Sequence, residues 1–305
     1  MTNPEPSGIL NILKPPGMTS FDVIGYLRRL LKTKKIGHAG TLDPAAVGVL
    51  PVFLGQATKA IEFMMEKDKV YRAELTLGIS TDTQDNTGRV VSERKVNVTE
   101  DELCKAFKSF LGEQEQLPPM YSAVRVDGKK LYELAREGKI IDRKSRCVRI
   151  YSINIVHVIR SEDKIKKVIF DVHCSKGTYI RTLCHDLGEK LGCGGHMSFL
   201  IRLKAGEYDI ADALTIENIE KLTESGLIRE KLLSPESAFS NLAGIKLNDY
   251  EVKRFLNGVM IEADKALYKH GELLRVYDSN GLFIAVAQVN LCRNSVMLKS
   301  RKLFL

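Results

Sequence analysis

No apolar stretch of this sequence reaches the roughly 18 residues that a membrane-spanning helix needs. Runs such as Gly48 to Gly55 and Gly281 to Val289 stop far short of it. The opening Met1-Thr-Asn-Pro-Glu-Pro has neither the basic start nor the apolar segment of a secretory signal, so a cytoplasmic protein without a membrane partner is expected. Cysteines are few, six in irregular positions with no Cys-x-x-Cys pair, which argues against a disulfide scaffold in so long a chain. Repeats and low-complexity segments are missing as well. With 44% hydrophobic residues, the sequence can build a sizeable core and is not a disordered chain.

What the sequence does have is length and positive charge. Its 305 residues suggest two domains, and 46 Lys and Arg against 38 Asp and Glu give a net charge of +8. That balance favours an anionic partner, nucleic acid or a membrane surface, and no amphipathic basic helix supports the second.

One cluster resembles a zinc site in composition: Cys184, His185, Cys193 and His196. Its spacing fits no standard finger, and adjacent Cys184 and His185 cannot easily ligate together, so buried thiols and structural or RNA-facing histidines are the better reading. Asp82 and Asp85 in a polar loop could likewise hold a divalent ion, but their neighbours Asn86 and Gly88 are turn formers and the ligand set is incomplete. No metal is expected.

Periodicity indicates an α+β protein. Tyr71, Ala73, Leu75, Leu77 and Ile79 alternate along one strand face, and 147–160 and 167–174 also read as strands. Thr19-Ser20 caps a helix carrying Phe21, Ile24, Leu27 and Leu31. Thr99-Glu-Asp-Glu102 is a capping box ahead of Leu103, Phe107 and Phe110, and Thr178 starts a helix with Ile180, Leu183, Leu187 and Leu191 in its apolar stripe. After a polar helix over 215–232, the composition breaks near Leu233-Ser234-Pro235. Beyond it come a short helix from Asn248 to Leu256, a stop at Gly258 and strand-like runs around the turn Asp278-Ser-Asn-Gly281. The expected division is 1–235 and 236–305, the second part a small β-rich barrel with a basic tail.

The densest chemistry lies in Lys34-Lys-Ile-Gly-His-Ala-Gly-Thr-Leu-Asp-Pro-Ala-Ala-Val-Gly48. Gly37 and Gly40 permit close backbone approach to a ligand, His38 offers a donor and a flat ring, and Pro44 holds Asp43 extended. On spacing alone this is an ordinary Asp-Pro turn.

The whole string, however, resembles the signature of the TruB family, the bacterial tRNA pseudouridine-55 synthases. Further segments resemble the family in order: Ser7 to Ser20; Tyr71 to Gly78 with Thr81 to Gly88; Pro118 to Gly128 with Leu131 to Gly138; Gly177 to Leu183; and Gly195 to Leu203. The likeness covers most of 1–235, and the C-terminal part is similar to a PUA RNA-binding domain. The resemblance implies a pseudouridine synthase fold with a mixed, largely antiparallel central sheet flanked by helices. It implies isomerisation of uridine 55 in the T-arm of tRNA after base flipping, with no cofactor and no obligate protein partner.

Residue by residue, the resemblance makes Asp43 the catalytic carboxylate, acting on the sugar or as a base toward it, and Arg181 its partner. Tyr71 stacks on the flipped uracil, its hydroxyl a candidate to take the C5 proton. His38, Tyr179 and Leu200 fall near the flipped nucleotides, Gly40 and Thr41 belong to the binding loop, and Lys14 positions backbone near it. Ile201 stands where the family often has an arginine, so one RNA contact is expected to be missing. Phosphate contacts are expected from Lys129, Lys130, Arg143, Lys144, Arg146, Arg149, Lys299, Arg301 and Lys302, with the C-terminal part reaching the acceptor stem. Two other readings remain: an RNA-guided synthase of the archaeal and eukaryotic type, disfavoured by the short chain without a large basic tail, and a tRNA-folding chaperone, disfavoured by the intact Asp43, Tyr71 and Arg181.

Overall fold

A computed structural model describes residues 6–122, 124–126, 128–139, 141–162, 164–263, 268–292 and 295–305. The Met1-to-Glu5 start, Ala123 and Asp127 of the Pro118 motif and the side chain of Lys130 lie outside the described residues. The chain opens with β1 (Gly8–Lys14), α1 (Ser20–Leu30), β2 (Ile36–His38), β3 (Val47–Leu54), α2 (Ile61–Met65), β4 (Lys69–Leu77), β5 (Ile79–Thr81) and β6 (Val90–Glu93). There follow α3 (Glu100–Lys108), β7 (Gly112–Gln116), the ribbon β8 (Arg125–Val126) and β9 (Lys129–Lys130), and α4 (Leu131–Arg136). The long hairpin of β10 (Arg146–Ser161) and β11 (Lys164–Cys174) precedes α5 (Ile180–Lys190), β12 (Gly195–Ala205), β13 (Tyr208–Asp209) and α6 (Ile216–Glu224). The C-terminal part holds β14 (Gly244–Lys246), α7 (Asp249–Leu256), β15 (Ile261–Ala263), β16 (Leu273–Tyr277), β17 (Phe283–Cys292) and β18 (Ser295–Leu303). Among the described residues no helix is long and apolar enough to cross a membrane.

The larger sheet runs β1-β3-β12-β4-β11-β10-β7, with β2 beside β3 and β13 beside β12. Only the β3–β12 contact is parallel, through Ile201 opposite Val47 and Arg202 opposite Gly48. This is the mixed, largely antiparallel sheet that the sequence implied. Ala73, Leu75 and Leu77 of β4 are buried on one face against Phe170, Leu183 and Leu187, so α5 and α3 cover the central strands there. Truncating such a buried leucine to alanine costs about 2–5 kcal/mol, which is what holds α5 on the sheet. The alternation does not continue to Ile79. Gly78, at φ +90°, breaks the extended backbone between β4 and β5, and a Cβ there would stand 2.8 Å from Val96 Cγ2.

Two helix expectations are corrected. Thr19 caps α1 in a capping box with Asp22, and Ile24 and Leu27 are buried with Val23, but Phe21 is 70% exposed and sets its ring edge-on to His38. The N-cap of α5 is Tyr179, not Thr178, whose hydroxyl donates to Ser175 O instead.

The second sheet runs β14-β16-β17-β18-β15. Asp278 Oδ1 accepts from the backbone N–H groups of Asn280 and Leu282, and Gly281 takes φ +85°, forming the expected hairpin turn. The two sheets share a core. Phe53, Ala57 and Ala60 from the first half pack with Phe239, Val286 and Phe304. Phe239 lies 5.1 Å from Phe63, 5.5 Å from Phe304 and 5.9 Å from Phe283, measured between ring centroids.

Candidate active site

Asp43 sits on the loop between β2 and β3, and that loop is fastened on every side. Gly17 N–H donates to Pro44 O at 2.9 Å, joining it to the loop after β1. Lys14, fully buried at the end of β1, donates from Nζ to Pro15 O at 2.8 Å and Pro44 O at 3.2 Å. Burial pushes its ammonium down to about 8, and the Asp43 carboxylate opposes that shift. Ser20, the first residue of α1, donates its hydroxyl to Leu42 O at 3.2 Å and accepts from Leu42 N–H at 2.9 Å. Asp43 O accepts from Ala46 N–H at 3.1 Å, closing the turn.

Arg181 arrives from the first turn of α5. The start of that helix is held by a distant side chain: Gln116 accepts from Tyr179 N–H at 2.7 Å and donates to Tyr179 O at 3.0 Å. Arg181 Nε is 3.0 Å from Asp43 Oδ2, and Nη2 is 3.5 Å from Oδ1. Nη2 also donates to Tyr121 O at 2.9 Å, and Nη1 lies 3.6 Å from Asp85 Oδ2. Asp85 is itself pinned, its Oδ1 accepting from the Thr83 hydroxyl at 2.7 Å and Thr87 N–H at 2.9 Å. Asp82 instead accepts from Arg89 N–H at 2.8 Å. The two loop carboxylates therefore have separate partners, one a backbone turn and the other the arginine.

These groups open into a cavity of about 100 Å³ lined by Thr41, Leu42, Asp43, Tyr71, Thr178, Tyr179, Ile180, Arg181 and Leu200. Tyr71 and Leu200 come from adjacent strands on the same face of the sheet, β4 and β12. Burial raises the Asp43 carboxyl above the usual carboxylate value, while Arg181 draws it back and Asp85 adds to the rise. An anion beside a sealed cation, with an aromatic ring and a leucine across from it, suits a planar base and a reacting sugar carbon that develops positive charge.

The family model for the TruB family pseudouridylate synthase N-terminal domain matches residues 28–180, and that for the tRNA pseudouridylate synthase B C-terminal domain matches 181–240. The tRNA pseudouridine synthase B of Alkaliphilus oremlandii is 50% identical over 252 residues, 83% of this chain and 82% of that one. Its namesake from Heliobacterium modesticaldum is 42% identical over 301 residues, 98% of this chain and 96% of that one. The chain belongs to the TruB family. It is thus a pseudouridine synthase, an isomerase. Among solved structures, a chain from a crystal structure of a Cbf5-Nop10-Gar1 complex matches with a TM-score of 0.77 and 26% identity, covering 100% of this chain and 91% of that one.

Of the TruB-like residues singled out in the sequence, Asp43, Tyr71, Arg181, Tyr179, Leu200 and Thr41 meet at the cavity. Three do not line it. His38 is hydrogen-bonded to the Thr41 hydroxyl at 3.2 Å and meets Phe21 edge-on, while Lys14 is sealed beneath the loop. Gly40, at φ +75°, makes room for protein and not for a ligand: a Cβ there would lie 3.1 Å from Arg202 Nη1, and one at Gly37 would lie 2.8 Å from Ile61 Cδ1. Ile201 faces away from the site. It lines a separate, mostly apolar cavity with Leu13, Pro15, Val47 and Ile216.

The remaining basic residues divide. Lys129, Lys144, Arg146, Arg149, Lys299 and Arg301 are exposed, whereas Arg143 donates to Pro118 O at 2.8 Å and Lys302 pairs with Glu62. In the former zinc candidate, Cys184 is fully buried and its thiol is pushed up by burial, and His196 Nδ1 is hydrogen-bonded to Ile79 O at 2.9 Å. The sequence reading places Ser20 only in a helix cap and assigns nothing to Gln116 or to the Arg202 side chain. Ser20 and Gln116 each act through two hydrogen bonds to the backbone of one distant residue, which carry no local pattern.

Proposed function

We propose that the chain isomerises uridine 55 in the T-arm of tRNA to pseudouridine, in the cytoplasm, as a monomer without a cofactor. The observation that carries this reading is the Asp43–Arg181 pair at the cavity shared with Tyr71 and Leu200. The tRNA pseudouridine synthase B relatives support tRNA as the substrate. The target base is flipped out of the T-loop into the cavity, with Tyr71 stacking on it, Leu200 and Tyr179 framing it, and His38 and Phe21 at the rim meeting neighbouring nucleotides. Lys14, Gly40 and Thr41 contribute by holding the shape of the loop under the base.

In the reaction the N1–C1′ bond breaks, the uracil turns, a C5–C1′ bond forms and the C5 proton ends on N1. Atoms and charge balance without a redox partner. Asp43, kept ionised by Arg181, faces the sugar as nucleophile or base. Tyr71 is the candidate to receive the C5 proton, which a phenol does only with assistance from its surroundings. The C-terminal sheet, read as a PUA-like module, meets the acceptor stem through Lys299 and Arg301.

The test is tritium release from a T-arm transcript labelled at uridine C5, with no guide RNA added. Wild type should release tritium, Asp43→Asn should release essentially none while still binding, and a transcript with cytidine at position 55 should be inert. Binding without release by wild type would move the chaperone reading forward. Turnover by Asp43→Asn would remove Asp43 from its role.

A further inference from the structure

Arg202 is among the most buried side chains of the protein and belongs to no ion pair among the described residues. An arginine so placed keeps its charge, since the guanidinium is not deprotonated in proteins. Burial of an unpaired cation is costly, so its contacts should show what retains it. Nε donates to Val49 O at 2.7 Å and Nη2 donates to Gly40 O at 2.9 Å. Those two carbonyls stand downstream and upstream of Asp43, so one guanidinium holds both ends of the catalytic loop. On the neighbouring strand, Arg202 is the direct cross-strand partner of Tyr71, which puts both side chains on one face. The guanidinium charge therefore lies beside Tyr71.

The backbone has been shaped for this approach. A Cβ at Gly40 would crowd Nη1 at 3.1 Å, and one at Gly48 would lie 2.3 Å from Arg202 O. Gly40 therefore makes room for the guanidinium, and Gly48 lets β3 close on the β12 backbone at the same residue. Tyr71 itself lines the cavity.

We propose that Arg202 is a positioning residue that clasps both ends of the Asp43 loop to β12 and sets a fixed positive charge beside Tyr71. This rests on the reading of Asp43 and Tyr71 as the groups that meet the substrate. The other charged or titratable groups around the pair are Cys174 and Asp43, which face Tyr71, and Lys14, Lys69 and His38, which face Arg202. Among these, Arg202 is what favours an ionised phenol, against the burial that disfavours it.

The experiment replaces Tyr71 by 3-fluorotyrosine in the full chain and follows its ionisation by fluorine NMR without RNA, alongside kinetics of the unlabelled variants. In Arg202→Gln the titration midpoint should rise, and kcat on the T-arm transcript should fall about a hundredfold while RNA affinity changes less than about threefold. Arg202→Lys keeps the charge but lacks the planar fork that spans both carbonyls, so its midpoint should stay near wild type while kcat falls about tenfold. An unmoved midpoint in Arg202→Gln, or a loss confined to thermal stability, would overturn the proposal. If Arg202→Gln does not fold, Arg202→Lys decides: wild-type kcat overturns the proposal, and reduced kcat with an unmoved midpoint supports it. Since the fluorine measurement uses no RNA, a wild type inactive on the transcript sinks the tRNA reading and leaves this one standing.

Discussion

Arg181 and Asp43 form a lopsided pair: the arginine side chain is 6% exposed and the aspartate 42%, with 3.0 Å between Nε and Oδ2. The cation is sealed into the protein while the anion faces the cavity. A ligand in the cavity would therefore meet the carboxylate without displacing the arginine beside it.

Removing that partner should be visible in the pH profile. Burial already raises the Asp43 carboxyl and Arg181 draws it down, so Arg181→Met should move the acid limb of kcat to higher pH. It should also lower kcat by about 10²–10³-fold. Tritium release measured from about pH 5 to 9 checks both, and an acid limb that does not move would show that Arg181 leaves Asp43's ionisation alone.

Ser20 satisfies both backbone groups of Leu42 with a single hydroxyl. Ser20→Ala leaves them buried and unpartnered, so urea denaturation should show a loss of about 1–3 kcal/mol. Ser20→Thr keeps the hydroxyl and should lose less.

Lys14 carries a pH-dependent penalty. In the fold, burial holds it down to about 8 against the ordinary lysine value of 10.5. Between those values the unfolded chain binds more protons than the folded one, so this group makes stability rise with pH there, with its penalty full below the lower value. Lys14→Met loses that rise together with two hydrogen bonds. Its deficit relative to wild type should be smallest near pH 7 and grow by on the order of 1 kcal/mol or more toward pH 9.5. Chemical denaturation at the two pH values decides it.

Lys299 and Arg301 are exposed on β18, whereas Lys302 is occupied by Glu62. Lys299→Glu with Arg301→Glu should weaken binding of whole tRNA and flatten its salt dependence by about two units of slope. Affinity for an isolated T-arm hairpin should be unchanged. Equal loss for both RNAs would count against an acceptor-stem role.

Local chemistry made much of this legible. Thr19, Thr99 and Asn248 start helices with side chains that bond only a turn away, a pattern visible in any window of a few residues. The cavity residues were legible because whole motifs survive around them. What escaped depends on distant partners. The start of α5 moved to Tyr179 because Gln116, far off in sequence, holds it. Phe21 looked like core by spacing, yet the neighbouring Val23 takes the inward place. Arg202 shares a face of β12 with Leu200, but nothing nearby in sequence announces that its acceptors are Gly40 and Val49.

The aromatic cluster of Phe239, Phe283 and Phe304 has a consequence for substrate choice. Because that cluster continues the packing around Phe53, the second sheet is seated on the first and not strung from it. The span from Asp43 to the basic end of β18 is thus a calliper with its jaws set by the core. On the proposed reading, an RNA whose reactive loop and second helix are spaced otherwise would fill one jaw and not the other, so selection by shape would begin before any base is read.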